Sequence, residues 1–391
     1  MRRVKPFRTL AANVLAPLGI AGLLFLALEG GCRVALRAKT GSWPETRVEA
    51  YTKFVEKIGR AYRPHPYLVV TGRPAATLEA AGKIVHFNAR GQRATNVRDL
   101  PLPKPPGVSR IVCEGGSTTF DLLAPDDASS WPARLGALLA PRADVANAGS
   151  PGWTSLESLI SLEIRDVDLA PDVVVVFAGI NDLQPAGHVP FAPDYSAGHA
   201  EILPRVTGVA PVPVRLVSRL VFVEWLRGRL KPLDREETAE GYTPSYEWKG
   251  GPKRDDIPAE AVAVYERNLR STAAVARAHG ARTVLVAQSA RLRAGHEDSD
   301  RAFLESWAPG LTATGYLAGL GRMNAAARRL GDEGVALYVD PFAGSAFPDS
   351  LFDDPFHFSS EGSDRFARSL AAFLTAPGGP LALRRERAAL P

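Results

Sequence analysis

From residue 111 onward the chain carries five short, mostly apolar runs, at 111–113, 143–146, 173–177, 283–287 and 335–339. Near-continuous apolar runs of strand length, bounded by polar or glycine-containing turns, predict strands buried on both faces. Helix-length stretches lie between them, for example 130–140, 155–165 and 265–278. This alternation predicts an α/β domain whose parallel sheet is covered by helices. In such sheets ligands gather beyond the carboxyl ends of the strands, so chemistry is sought in the segments that follow the apolar runs.

The same pattern divides the chain. Residues 1–39 carry Arg2, Arg3, Lys5 and Arg8 ahead of twenty uncharged residues, 9–28. Twenty helical residues at about 1.5 Å each cover the roughly 30 Å hydrocarbon core. No A-x-A cleavage site follows, and Glu29 spoils a lipoprotein signal at Cys32. The expectation is therefore an uncleaved single-pass anchor with the catalytic part outside the cytoplasm, a cleaved signal peptide being the rival. Residues 40–106 read as a connecting region with strand-like pieces at 67–70 and 83–87, ended by a proline-rich spacer at 101–106. Residues 107–378 form the main domain, interrupted by an insertion at 187–260, and 379–391 form a tail. Within the insertion, 212–230 mixes Arg with Val, Leu, Phe and Trp, and reads either as an amphipathic helix on the sheet domain or as an interfacial helix touching lipid.

Composition changes this picture little. Hydrophobic residues make up 46% and charged residues 23%, enough for a full core. A net charge of +5 suits anionic membrane or wall polymer, whereas nucleic-acid binding has no supporting motif. Cys113 reads as a buried strand residue and Cys32 abuts the hydrophobic segment, which argues against a disulfide between them.

Four segments at strand ends carry the chemistry: 114–120 (Glu-Gly-Gly-Ser-Thr-Thr-Phe), 147–153 (Asn-Ala-Gly-Ser-Pro-Gly-Trp), 178–182 (Ala-Gly-Ile-Asn-Asp) and 354–358 (Asp-Pro-Phe-His-Phe). Gly115 and Gly116 permit a tight strand-to-helix turn that exposes the Ser117 hydroxyl. A serine hydroxyl is a weak nucleophile until a base takes its proton. His357 is the candidate base, and Asp354, three residues earlier, can hold its tautomer. The amides of Ser117 and Gly149 and the Asn181 side chain are candidate oxyanion donors, each worth about 3 kcal/mol. Asp182 is expected to fix the Asn181 loop rather than react. The other histidines (His65, His86, His188, His199, His279, His296) have no partner pattern, His188 being the one most apt to line a pocket. Trp153, Phe356 and Phe358 read as core packing at least as readily as walls of an acyl or sugar site.

This constellation resembles the SGNH hydrolases, or GDSL esterases, through Ser117, Gly149, Asn181 and His357. The resemblance covers residues 108–376. It implies a three-layer α/β/α sandwich around a five-stranded parallel sheet. It also implies a serine ester hydrolase working through an acyl-enzyme on Ser117, without metal or organic cofactor. Gly116 departs from the family pattern, which has Asp before the serine. The location implied by the N-terminus points to small-molecule or glycan esters, namely acyl or acetyl groups on envelope glycans or lipids. The alternatives are an O-acyltransferase acting on an extracellular glycan and a non-catalytic glycan-binding protein.

Overall fold

The computed structural model describes residues 14–41, 43, 53, 56–80, 82–96, 99–196, 220–226, 252–291, 300, 301, 303, 304, 307, 310–343 and 348–382. The chain divides into two compact units, Met1–Glu56 with Val212–Pro244, and Lys57–Pro211 with Ser245–Pro391.

The larger unit begins with two antiparallel hairpins. Strand β1 (Tyr62–His65) pairs with β2 (Val69–Gly72), and β3 (Thr77–Ala80) with β4 (Lys83–His86). All five apolar runs then appear as strands: β5 (Ser109–Gly115), β6 (Ala143–Asn147), β7 (Val173–Phe177), β8 (Arg282–Val286) and β9 (Leu337–Val339). They form one wholly parallel sheet in the order β6-β5-β7-β8-β9.

The period of two along β7 explains the three layers. Val173, Val175 and Phe177 enter a core with Trp131 and Leu135 of α2 (Trp131–Leu139) and Phe366 and Leu370 of α7 (Ser360–Thr375). Val174 and Val176 enter the opposite core. There they meet Tyr265 and Leu269 of α5 (Ala259–Ala278) and Met323 of α6 (Ala313–Asp332). Every residue of β7 is buried, because helices cover both faces.

Three short helices follow the first three strands of the sheet: α1 (Ser117–Phe120) after β5, α3 (Ser155–Ser161) after β6 and α4 (Leu183–Gly187) after β7. The strand order reverses between β5 and β7, which opens a crevice at their carboxyl ends. A further core joins the hairpins to this edge: Tyr62, Leu68, Val70, Val85 and Phe87 pack with Phe120 and Trp153.

The smaller unit contains the 25-residue helix Ala16–Thr40, which ends on a left-handed Gly41, and the short helix Val221–Leu226. Within the long helix, Ala16–Ala38 has a mean hydropathy of 1.6, long and apolar enough to cross a membrane by length and composition. A signal sequence shares that character. The basic residues Arg2, Arg3, Lys5 and Arg8, most of the 212–230 stretch, His199, His296 and residues 383–391 lie outside the described residues.

Candidate active site

The turn from β5 into α1 is shaped by contacts that only glycine permits. Gly115 has φ 151°, and a Cβ there would lie 2.2 Å from the Phe177 carbonyl oxygen and 2.2 Å from Thr119 Oγ1. At Gly116 a Cβ would lie 2.2 Å from Asn181 Nδ2 and 2.8 Å from the Trp153 carbonyl oxygen. The departure at Gly116 therefore has a steric reason here: the space a side chain would fill is occupied by Asn181.

Ser117 and His357 are separated by 240 positions, and tertiary structure brings Ser117 Oγ to 2.8 Å from His357 Nε2. His357 Nδ1 lies 2.7 Å from Asp354 Oδ2, while Asp354 Oδ1 accepts the amides of Phe356 and His357, each at 2.8 Å. With its Nδ1 proton directed at Asp354, the imidazole presents Nε2 as acceptor to the serine hydroxyl. Burial pushes the Asp354 carboxyl up, but the His357 charge and the hydrogen bonds from His357 and Phe356 more than offset it. The carboxyl is held below its usual range, so it stays ionised beside the imidazole.

Neighbouring elements lock the serine helix. Asp121, the residue after α1, accepts the Trp131 amide and the Ser363 hydroxyl of α7, each at 2.7 Å. Trp131 Nε1 donates to the Thr118 carbonyl at 2.9 Å. The loop carrying His357 is tied to the end of β8 by the Arg291 amide, 2.8 Å from the Pro355 carbonyl.

Asn181 Nδ2 donates one hydrogen to the Trp153 carbonyl at 2.8 Å and keeps a second. Asp182 is fully buried and accepts from the Ser155 amide, the Ser155 hydroxyl at 2.5 Å and the Tyr195 hydroxyl at 3.0 Å. It thus fixes the Asn181 loop. Burial raises its carboxyl to about 6, against the hydrogen bonds from Ser155 and Tyr195. Gly149 lies at the same edge, but its amide donates to Asn147 Oδ1 at 3.2 Å, so it is not aimed at the Ser117 side in this conformation. The Gly152 amide, three residues on, donates to no described group.

Arg93, from the region before the sheet, was not legible as part of this assembly. Its guanidinium is wholly buried and donates to the carbonyls of Phe120 at 3.0 Å, Asp121 at 2.6 Å, Ala124 at 3.3 Å and Asp126 at 2.6 Å. It therefore gives a fixed donor to the carbonyls at the end of α1 and in the following loop, of which Phe120 and Asp121 also accept from Asn147 Nδ2 and the Ala124 amide. No local motif marks such an arginine. Asn147, by contrast, had a readable signal, since Asn-x-Gly favours a turn closed by the asparagine side chain.

Trp153, Phe356 and Phe358 are all core residues, each 2% exposed, and Trp153 Nε1 donates to the Val70 carbonyl at 3.0 Å. Of the histidines without a partner pattern, His86 in fact meets one: its Nδ1 lies 2.7 Å from Asp127. His188 follows α4 as a half-buried residue. Cys113 is buried in β5, and neither cysteine is in a disulfide. Among the described residues no group of three His, Cys, Asp or Glu is placed to hold a metal ion.

Comparison with known proteins finds structural similarity to the lipase/acylhydrolase from Enterococcus faecalis, at 17% identity and a TM-score of 0.39, over 68% of this chain and 95% of that one. A GDSL-like lipase from Bacteroides thetaiotaomicron is similar at 14% identity and a TM-score of 0.35, over 67% of this chain and 85% of that one. A catalytic mutant of an acetylxylan esterase from Geobacillus stearothermophilus is similar at 17% identity and a TM-score of 0.37, over 67% of this chain and 92% of that one. No curated protein sequence matches the chain. The model of the GDSL-like lipase/acylhydrolase family, however, matches residues 113–365, a span that contains Ser117, Asn181, Asp354 and His357. The chain belongs to the GDSL-like lipase/acylhydrolase family and is a hydrolase of ester bonds.

Proposed function

We propose that the protein hydrolyses acyl or acetyl esters through an acyl-enzyme on Ser117. The observation that carries this reading is the continuous Asp354–His357–Ser117 relay, at 2.7 and 2.8 Å. As the Ser117 oxygen attacks the ester carbonyl carbon, its proton passes to His357 Nε2. The tetrahedral intermediate collapses, the carbon–alkoxide bond breaks, and the leaving alcohol takes that proton. A water molecule then gives a proton to His357 and attacks the acyl carbon. Collapse releases the acid and returns the proton to Ser117. Ionised Asp354 stabilises the imidazolium in both halves.

The Ser117 amide and the free Asn181 Nδ2 hydrogen serve the developing oxyanion. Because the Gly149 amide is held by Asn147 in this conformation, we assign the third donor of that segment to the unpaired Gly152 amide. In this reading 107–378 is the hydrolase domain with its insertion at 187–260, and 40–106 joins it to the N-terminal segment 1–39. The hairpins of that joining region also brace the serine helix through Phe87 and Arg93. The exposed apolar face of helix Ala16–Thr40 supports a membrane anchor, which would put glycan or lipid esters of the cell envelope within reach.

The test is covalent. A fluorophosphonate probe labels the wild type and leaves Ser117→Ala unlabelled, while acyl release from acetylated glycan proceeds without added acceptor. Equal labelling of the two proteins removes the serine mechanism. Release that requires a sugar acceptor replaces hydrolysis with acyl transfer.

A further inference from the structure

Glu29 is the first charged residue after the uncharged stretch 9–28. On a helix whose Leu18, Ile20, Leu23, Leu24 and Leu26 are all mostly exposed, it is only 6% exposed, as is Leu36 two turns on. What buries it is the short helix Val221–Leu226 of the same unit. The Glu29 carboxylate accepts the Val221 amide at 3.0 Å and the Phe222 amide at 2.8 Å, and Arg33 Nε donates to it at 2.6 Å. These are first-turn amides with no partner inside their own helix. One turn earlier on the long helix, Phe25 meets Phe222 edge to face, with ring centroids 5.9 Å apart and planes at 77°.

Where this contact lies follows from the anchor reading of the previous subsection, on which the inference rests. If 9–28 fill a hydrocarbon core of about 30 Å, Glu29 stands at the core's boundary. A carboxylate there escapes the cost of holding a charge at the bilayer centre. The partner segment suits the same depth: 220–226 reads Leu-Val-Phe-Val-Glu-Trp-Leu, with Arg215 and Arg219 before it and Arg227 and Arg229 after it in the sequence. Apolar residues between basic flanks are the composition of an element lying among anionic headgroups.

We propose that residues 220–226 are an interfacial element, held by Glu29 at an anionic phospholipid surface. The insertion is thereby fastened to the bilayer a second time, beside the anchor. The proposal takes the lipid-touching reading of 212–230 for its central part.

The experiment uses the full chain in the Cys32→Ala background, reconstituted into vesicles of phosphatidylcholine and phosphatidylglycerol. An environment-sensitive fluorophore is placed at Val223→Cys or, as control, at Leu18→Cys, and quenched by lipids labelled at shallow or deep positions. The expected result is shallow quenching at 223 and deep quenching at 18. Glu29→Leu should then lower the quenching at 223 several-fold and leave that at 18 and the hydrolysis of a soluble ester unchanged. Quenching at 18 with an unquenched 223 overturns this inference alone, as does a 223 signal indifferent to Glu29→Leu. Absence of quenching at both positions overturns the anchor reading with it, and neither outcome touches the Ser117 chemistry.

Discussion

At the carboxyl edge of the sheet Asp354 accepts the amides of Phe356 and His357, and in the N-terminal unit Glu29 accepts those of Val221 and Phe222, yet their surroundings are opposite. Around Asp354 the apolar side chains point inward: Phe356 and Phe358 are buried in the two cores that flank the sheet. Around Glu29 they point outward, with Leu23 69% exposed and Leu26 66% exposed. The same local hydrogen-bond device is therefore positioned by packing in one region and left for the medium to complete in the other. The proposed Asp354–His357–Ser117 relay should be indifferent to lipid, and the N-terminal contact should depend on it.

The hardest blow to the packed region is Ser117→Ala, expected to lower kcat/KM by roughly 10⁴-fold or more with the melting temperature unchanged. Esterase assays beside thermal melts check this, and appreciable residual turnover would move the nucleophile elsewhere. Gly116→Ala should cost about 10²–10³ in kcat, because its Cβ displaces Asn181 and with it an oxyanion donor. A variant with normal kcat would show that Asn181 does no work on the substrate.

Next in size is Arg93→Met, which removes a buried donor shared by four carbonyls and should cost about 3 kcal/mol of stability. Denaturant midpoints measure it. An unchanged midpoint would mean that the hairpins are a separate layer and not a brace for the serine helix.

Asp182 gives a pH-dependent effect of similar order. Its carboxyl is raised by burial to about 6, above an unfolded value of about 3.9. Its contribution to stability is thus complete below the unfolded value and is lost as pH rises through about 6. Asp182→Asn removes that dependence, so the variant should gain on the wild type by about 2–3 kcal/mol between pH about 4 and about 7. Urea midpoints at the two pH values test it, and an equal gap at both would refute the raised carboxyl.

The smallest effect on catalysis is expected in the outward-facing region. Leu24→Ser should leave hydrolysis of a soluble ester within error of wild type while weakening retention on vesicles, read by flotation. A drop in soluble activity would show that the helix supports the hydrolase and not a membrane contact.

The four segments proposed to carry the chemistry stand out in the sequence because each is short, contiguous and placed after an apolar strand. The Asp354–His357 pair is nearly complete within one loop, three residues apart, and needs only its own backbone turn. At Gly149 the sequence shows a glycine near the site, but not that its amide donates to the Asn147 side chain. Arg93 and the Ser155–Asp182–Tyr195 network escaped for a different reason. Their partners lie 13 or more residues off, or are backbone carbonyls that carry no side-chain signal.

The sequence by itself determined the layer architecture, because strands covered on both faces need near-continuous apolar runs, and it determined the order of the four segments at one sheet edge. It also determined that a twenty-residue stretch lacks charge. Only the tertiary structure decided that Ser117 Oγ and His357 Nε2 meet at 2.8 Å. The same holds for which amides of 147–153 remain free and for what buries Glu29. Each of those depends on contacts between segments far apart in the chain, whose geometry is fixed by the close packing of helices on the sheet and of one short helix on a long one.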